Sequence, residues 1–289
     1  MISKQAVENC SLWSCKMYLD FHAHCNSGNP DEIRSYVENC EKNDIMTALS
    51  GGLRYGGHDY LPNEDVVRIC KEYPHNLIPL AKIDLWDTPP DPAELHRYAD
   101  MGVKGFKFIY PYYAYDHESY FSIYEELEKM GLPALFHTGA YRPNSADVKY
   151  RRPVLDNMSP LKLDTIARSF PALKIVMAHL GTKIFREQGA ELIKLHDNLY
   201  FDLAGCGNFL DVSPSELAAL LKPSVFTRDK EGAYFRKMIF GSDSYITIPV
   251  IQTEALQAYQ MHLLLNQITG EEKQAVLGGT VASWMGIKL

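Results

Sequence analysis

VKGFKFIYPYYAYDHESYFSIYEELEKMGLPALFHTG, residues 103–139, holds a complete strand–helix–strand unit. The runs 103–110 and 132–139 are short, apolar and bounded by turn residues, as strands are. Between them SYFSIYEELEKMG (119–131) spaces its apolar residues for one helix face and stops at Gly131. Two strands joined by a crossover helix run parallel. Working outward, the same alternation recurs: MYLDFHAH (17–24), IMTALSGG (45–52), LIPLAKIDL (77–85), KIVMAHLG (174–181), LYFDLAG (199–205) and MIFGSDS (238–244) complete a set of eight strands. Stretches such as PDEIRSYVENCEKN, NEDVVRICKEY, DPAELHRYADMG and SPLKLDTIARSF supply helices between them.

Eight such units predict an α/β chain, a single-domain (β/α)8 TIM barrel with allowance for distortion, and 289 residues suit a fold that typically takes about 250. VIQTEALQAYQMHLLLNQITG and EEKQAVLGGTVASWMGI read as closing helices. Residues 1–16 form an N-terminal extension and residues 17–289 the barrel, with no composition break inside it. Two longer loops, 110–118 and 140–159, follow strands at the end where barrel enzymes bind substrate.

Composition excludes several classes. With 46% hydrophobic and 22% charged residues the chain is neither disordered nor fibrous. A net charge of -7, with Lys149, Arg151 and Arg152 the longest basic cluster, argues against nucleic acid as a partner. The opening MISKQAVENCSLWSC is too polar for a signal peptide, and no run reaches the roughly 18 apolar residues of a membrane span, so a cytoplasmic protein is expected. Six cysteines, at 10, 15, 25, 40, 70 and 206, contain no CxxC pair and are read as reduced. Cys10 and Cys15 lack the two further ligands a metal site needs.

The chemistry concentrates at strand ends. His22 and His24 are two apart on strand 1, so the pleat sends both rings to one side. His137 ends strand 5, His179 ends strand 6 and Asp243 ends strand 8. Each alone is as readily a packing residue, a cap or a turn former. Together they suit one site, because strand ends converge at the C-terminal face of a barrel. His75, His96, His117, His196 and His262 fall on helices or loops and are read as solvated or packing.

These segments resemble a known family. DFHAH (20–24), LFHTG (135–139), IVMAHLG (175–181), NLYFDLAG (198–205) and IFGSDS (239–244), in that order, are similar to the amidohydrolase superfamily. The branch resembled is that of metal-dependent hydrolases related to aminocarboxymuconate-semialdehyde decarboxylase. There an Arg-Pro pair, a helix and FPxLKIVxAHLG recur as they do from Arg152 to Gly181, and the resemblance spans residues 17–244. It implies one divalent ion held by His22, His24, His137 and Asp243, most often zinc, with manganese or another divalent ion as alternatives. It also implies contact of His179 with substrate or water. GGTVASWMGI resembles a weakened form of the family's closing asparagine-alanine helix.

Three imidazoles and a carboxylate on one ion leave a position for water, which predicts hydrolysis of a C–O or C–N bond in a lactone, ester or amide. Asp243 would be ligand and proton carrier together, and His179 an oxyanion donor, a holder of the attacking water, or an orienting residue. Lys107, on strand 4, has three readings: a substrate-carboxylate ligand, a rim residue, or, as in other superfamily branches, a carboxylated bridge between two ions. Arg54, Tyr55, Tyr110, Tyr112, Tyr113 and Arg142 are candidate contacts for a small anionic substrate. Cys25 and Cys206 border the expected pocket without a base to activate them. The alternative is a decarboxylase of a carboxylated aromatic or unsaturated acid, and an inactive metal-bound binding protein ranks last. A homodimer is the one expected assembly.

Overall fold

The structure is a computed structural model that describes residues 17–51, 60–85, 90–141, 154–205, 208–223 and 233–289. Arg54, Tyr55, Arg142, Cys10, Cys15, Cys206, the extension 1–16 and most of the 140–159 loop lie outside the described residues.

Eight strands stand in the predicted places: β1 (Tyr18–His24), β2 (Ile45–Ser50), β3 (Leu77–Lys82), β4 (Phe106–Phe108), β5 (Ala134–Phe136), β6 (Ile175–Met177), β7 (Leu199–Phe201) and β8 (Ser244–Tyr245). They form one sheet in the order β7-β6-β5-β4-β3-β2-β1-β8, every pair parallel. The ring closes where Met238 bridges Phe201, with Ile239 N donating to Phe201 O at 2.7 Å and Phe21 N to Phe240 O at 2.9 Å. This is the expected barrel, with one difference. The eighth strand, expected over 238–244, pairs regularly only at Ser244–Tyr245, because Phe240 N turns away to Val276 O and Asp243 takes a left-handed conformation, φ 60°.

The helices are α1 (Pro30–Lys42), α2 (Asn63–Glu72), α3 (Pro92–Asp100), α4 (Phe121–Met130), α5 (Lys162–Ser169), α6 (Thr182–Leu195), α7 (Asn208–Asp211), α8 (Pro214–Leu220), α9 (Val250–Leu265), α10 (Gly270–Gln274) and α11 (Thr280–Met285). Local chemistry sets their ends. The Asn29 and Asp91 side chains accept from Asp31 N and Ala93 N, each ahead of a proline in the first turn. Ser213 and Glu216 cap α8 reciprocally, and Gly131 ends α4 at φ 67°. No helix among the described residues is long and apolar enough to cross a membrane.

Strand alternation divides the core in two. Phe106, Phe108, Phe136, Met177 and Phe201 face outward onto helix residues such as Tyr124, Ile166 and Ile193. Leu19, Phe21, Ala48, Ile78, Leu80, Leu135, Val176 and Ile239 fill the barrel, and Val281, Ala282 and Met285 of α11 close its floor. Each of the larger of these buried side chains contributes on the order of 1.5–3 kcal/mol, and together they fill the interior as a packed plug below the open end.

One irregularity positions the site. The β1–β2 register shifts between Asp20 and Ala23. Below the shift Asp20 faces outward, where Ser242 Oγ and Gln252 Nε2 donate to its carboxylate at 2.6 and 3.0 Å. Strict alternation would send His22 outward as well. The bulge reverses the parity, so His24 lines the barrel mouth and His22 turns inward beneath it, against Lys107 and Asp243.

Candidate metal centre

His22, His24 and Asp243 bring one ligand atom each within 4.8 Å of one another. His24 Nε2 lies 2.8 Å, and His22 Nε2 3.4 Å, from Asp243 Oδ1. Surrounding hydrogen bonds set the tautomers. His22 Nδ1 donates to Asp202 Oδ2 at 2.9 Å, which leaves Nε2 without a proton, an acceptor. Ser50 Oγ donates to Ala23 O at 3.2 Å and accepts from His24 Nδ1 at 3.2 Å, which bares His24 Nε2 in the same way.

A second chain runs from strand 7. His179 Nδ1 donates to Ala204 O at 2.7 Å, so its Nε2 accepts from His137 Nδ1 at 3.1 Å. The remaining His137 Nε2 is buried and has no hydrogen-bond partner among the described residues. Of the four expected ligands the structure therefore gathers three tightly. His137 stands beside them, paired to His179 and with its own acceptor open.

Charge states fit a cation. Burial, and then the nearby Lys107 ammonium, push His22 down to about 4. Burial lowers His24, and burial with the neighbouring His179 lowers His137 well below the ordinary imidazole range. Burial works to raise Asp243, but the adjoining His24, His22 and His179 rings hold it well below the usual carboxylate range. Neutral imidazoles facing an ionised carboxylate are the donor set that a divalent ion takes. Acceptors crowded together repel one another unless a cation answers them, and among the described residues Lys107 brings an ammonium to this point, its Nζ 2.7 Å from His22 Nε2. That lysine is 1% exposed and lies on the pocket floor, away from the rim, with its pKa lowered by burial to about 8.

The backbone aims these groups. Tyr110, His179, Leu180, Thr182 and Asp243 all have positive φ; Tyr110 follows β4, His179 to Thr182 form the turn from β6 into α6, and Asp243 stands immediately before β8. Such conformations cost roughly 1–3 kcal/mol each and persist where the surroundings over-determine them. Asp243 N is held by His22 O at 2.6 Å. Gly241 lies so close to the site that a Cβ there would stand 2.9 Å from His22 Cβ and 3.2 Å from Asp202 Oδ2.

The pocket above the centre is lined by Ser50, Tyr60, Lys82, Lys107, Tyr110 and Tyr245 with His24, His137, His179 and Asp243. Tyr60 and Tyr245 lie near-parallel, ring centroids 6.1 Å apart, beside His24. Tyr113 stacks on His117 at 4.1 Å and is absent from this lining. Cys25 is buried and its thiol is pushed up to about 12, which leaves it inert. His96 is exposed against Glu126, while His196 and His262 are buried.

The sequence reading assigned no role to Asp202, Lys82, Ser50, Tyr60 or Tyr245. Asp202 carried a signal, a carboxylate closing an apolar strand in LYFD. Its Oδ1 also accepts from His179 N at 2.6 Å and Ala204 N at 3.0 Å, so one carboxylate orients both His22 and the strand 6 turn.

A family model described as amidohydrolase matches residues 56–283. No match to the chain is found among curated proteins. Among solved structures, an uncharacterized TIM-barrel protein from Bordetella bronchiseptica is 17% identical with TM-score 0.68, over 93% of this chain and 99% of that one. A probable 2-pyrone-4,6-dicarboxylic acid hydrolase from Acinetobacter baumannii, with citric acid bound, is 15% identical with TM-score 0.61, over 93% and 99% of the two chains. 5-Carboxyvanillate decarboxylase from Sphingomonas paucimobilis is 14% identical with TM-score 0.58, over 94% and 99%. At these identities the likeness is one of fold.

Proposed function

Because the chain belongs to the amidohydrolase family, we propose that it is a metal-dependent hydrolase that opens a C–O or C–N bond of a small anionic substrate. The observation that carries this reading is the convergence of acceptor atoms. His22 Nε2, His24 Nε2 and Asp243 Oδ1 face one point, and His137 Nε2 stands open nearby. These four residues would hold one divalent ion, zinc first and manganese next. When bound, the ion supplies Lewis acidity, which brings the pKa of a water molecule from 15.7 toward about 7.

The chain's own groups do the rest. Asp243, held ionised, takes the proton from the attacking water and returns it to the leaving group. His179, its Nδ1 tied to Ala204 O and its Nε2 to His137 Nδ1, acts as a positioning residue that keeps His137 Nε2 open to the ion. Asp202 keeps His22 in its ligand tautomer. Lys107 and Tyr110 offer donors to substrate anions from the pocket floor and wall.

The buried Lys107 ammonium also favours a second reading, in which the centre and the lysine together grip a carboxylated ring, a proton is added to the ring carbon and carbon dioxide leaves from it. Metal-loaded protein tested on lactones, esters and amides, and in parallel on carboxylated aromatics with carbon dioxide detection, separates the two. Turnover of the first panel alone supports hydrolysis, and release of carbon dioxide from the second overturns it.

A further inference from the structure

Resting on the metal-dependent reading above, we propose that Lys82 is a specificity-determining residue, the anchor for an anionic group that the substrate carries away from the bond it breaks. Lys82 ends β3, where Ile78 and Leu80 on the same side already point into the barrel. Alternation therefore carries the Lys82 side chain into the mouth, and it lines the same pocket as His24, Lys107 and Asp243. The residue is only 4% exposed, a rare position for a lysine unless its charge is answered. Asp84 forms an ion pair with it, at an Nζ to Oδ1 separation of 3.9 Å.

Its backbone is clamped. Asn63, the first residue of α2, donates from Nδ2 to Lys82 O at 2.9 Å and accepts from Lys82 N at 3.0 Å. Such bracing is what a preorganised binding group requires. Tyr60 and Tyr245 give the same pocket a flat aromatic wall. The combination suits a planar, unsaturated acid. One end reaches the metal centre and the other places an acidic group on the Lys82 ammonium.

The test uses zinc-loaded full-length protein, with benzoate and the three benzenedicarboxylate isomers as calorimetric probes. At least one dicarboxylate is expected to bind tenfold or more tighter than benzoate. In Lys82→Met that ratio falls to within about twofold while benzoate affinity and zinc content hold. Lys82→Arg keeps most of the ratio. Tenfold corresponds to about 1.4 kcal/mol. A wild-type protein that does not discriminate, or a Lys82→Met variant that still does, overturns the proposal. So does Asp84→Asn matching Lys82→Met in thermal stability while the ratio survives both, since that result marks a structural ion pair. Failure of the wild-type protein to take up zinc instead sinks the metal reading itself.

Discussion

Asp202 Oδ2 accepts the Nδ1 proton of His22 at 2.9 Å, and that one bond decides which nitrogen His22 turns toward Asp243. In Asp202→Asn the retained oxygen can still serve His179 N and Ala204 N. The new amide then faces His22 Nδ1 with donors and drives the ring to its other tautomer, masking the ligand nitrogen. Zinc affinity, measured by competition with a chromophoric chelator, is expected to weaken about 10- to 100-fold with the fold intact by circular dichroism. Wild-type affinity in this variant would remove Asp202 from the account.

Metal content discriminates the ligands. Elemental analysis is expected to give about one zinc per chain, and His22→Ala to abolish it. Asp243→Asn is expected to keep zinc while turnover drops on the order of 100- to 10,000-fold, the range of a lost proton carrier. Two ions per wild-type chain would instead assign Lys107 a carboxylated, bridging role, since its Nζ already stands 2.7 Å from His22 Nε2.

The floor of the barrel predicts a stability effect remote from the chemistry. Gly278 has φ 143°, and a Cβ there would come within 2.5 Å of Leu19 N. Gly278→Ala is expected to cost about 3 kcal/mol from strain and overpacking, read as a lower urea midpoint. Zinc binding by the folded fraction should be unchanged. A neutral substitution would show that the C-terminal segment does not press on β1.

Acid sensitivity has a traceable contributor. The Arg168 guanidinium, with His196 beside it, holds the Asp164 carboxyl below its ordinary value. A carboxyl depressed in the folded state stabilises above its unfolded pKa, about 3.9, and the contribution is lost as pH falls through the folded value. Asp164→Asn is expected to lower stability by about 0.5–1 kcal/mol at pH 7, as partly exposed ion pairs do. The gap to wild type should close below about pH 4. A gap of constant size across that range would mean that the carboxylate's charge contributes nothing.

The fold was legible because strand and helix periods alternate cleanly along the chain, and the five convergent polar residues because each ends an apolar run. What escaped reading depends on long-range geometry. The β1 bulge, which turns His22 inward, arises from pairing with β2, and DFHAH alone carries no mark of it. α6 carries no such mark, since it starts from a left-handed turn, Gly181 at φ 74°, with no side-chain cap to announce it. Lys82 reads as one polar residue in LIPLAKIDL until the barrel shows that its side of the strand faces the pocket.

The register shift on β1 bears on any attempt to transplant this centre. Grafting His22, His24, His137 and Asp243 onto a regular eight-stranded scaffold would leave the first imidazole facing the surrounding helices, because an unbroken pleat has no means of reversing sides. The recipient must also inherit the extra residue, and with it the outward carboxylate of Asp20 that Ser242 and Gln252 hold in place.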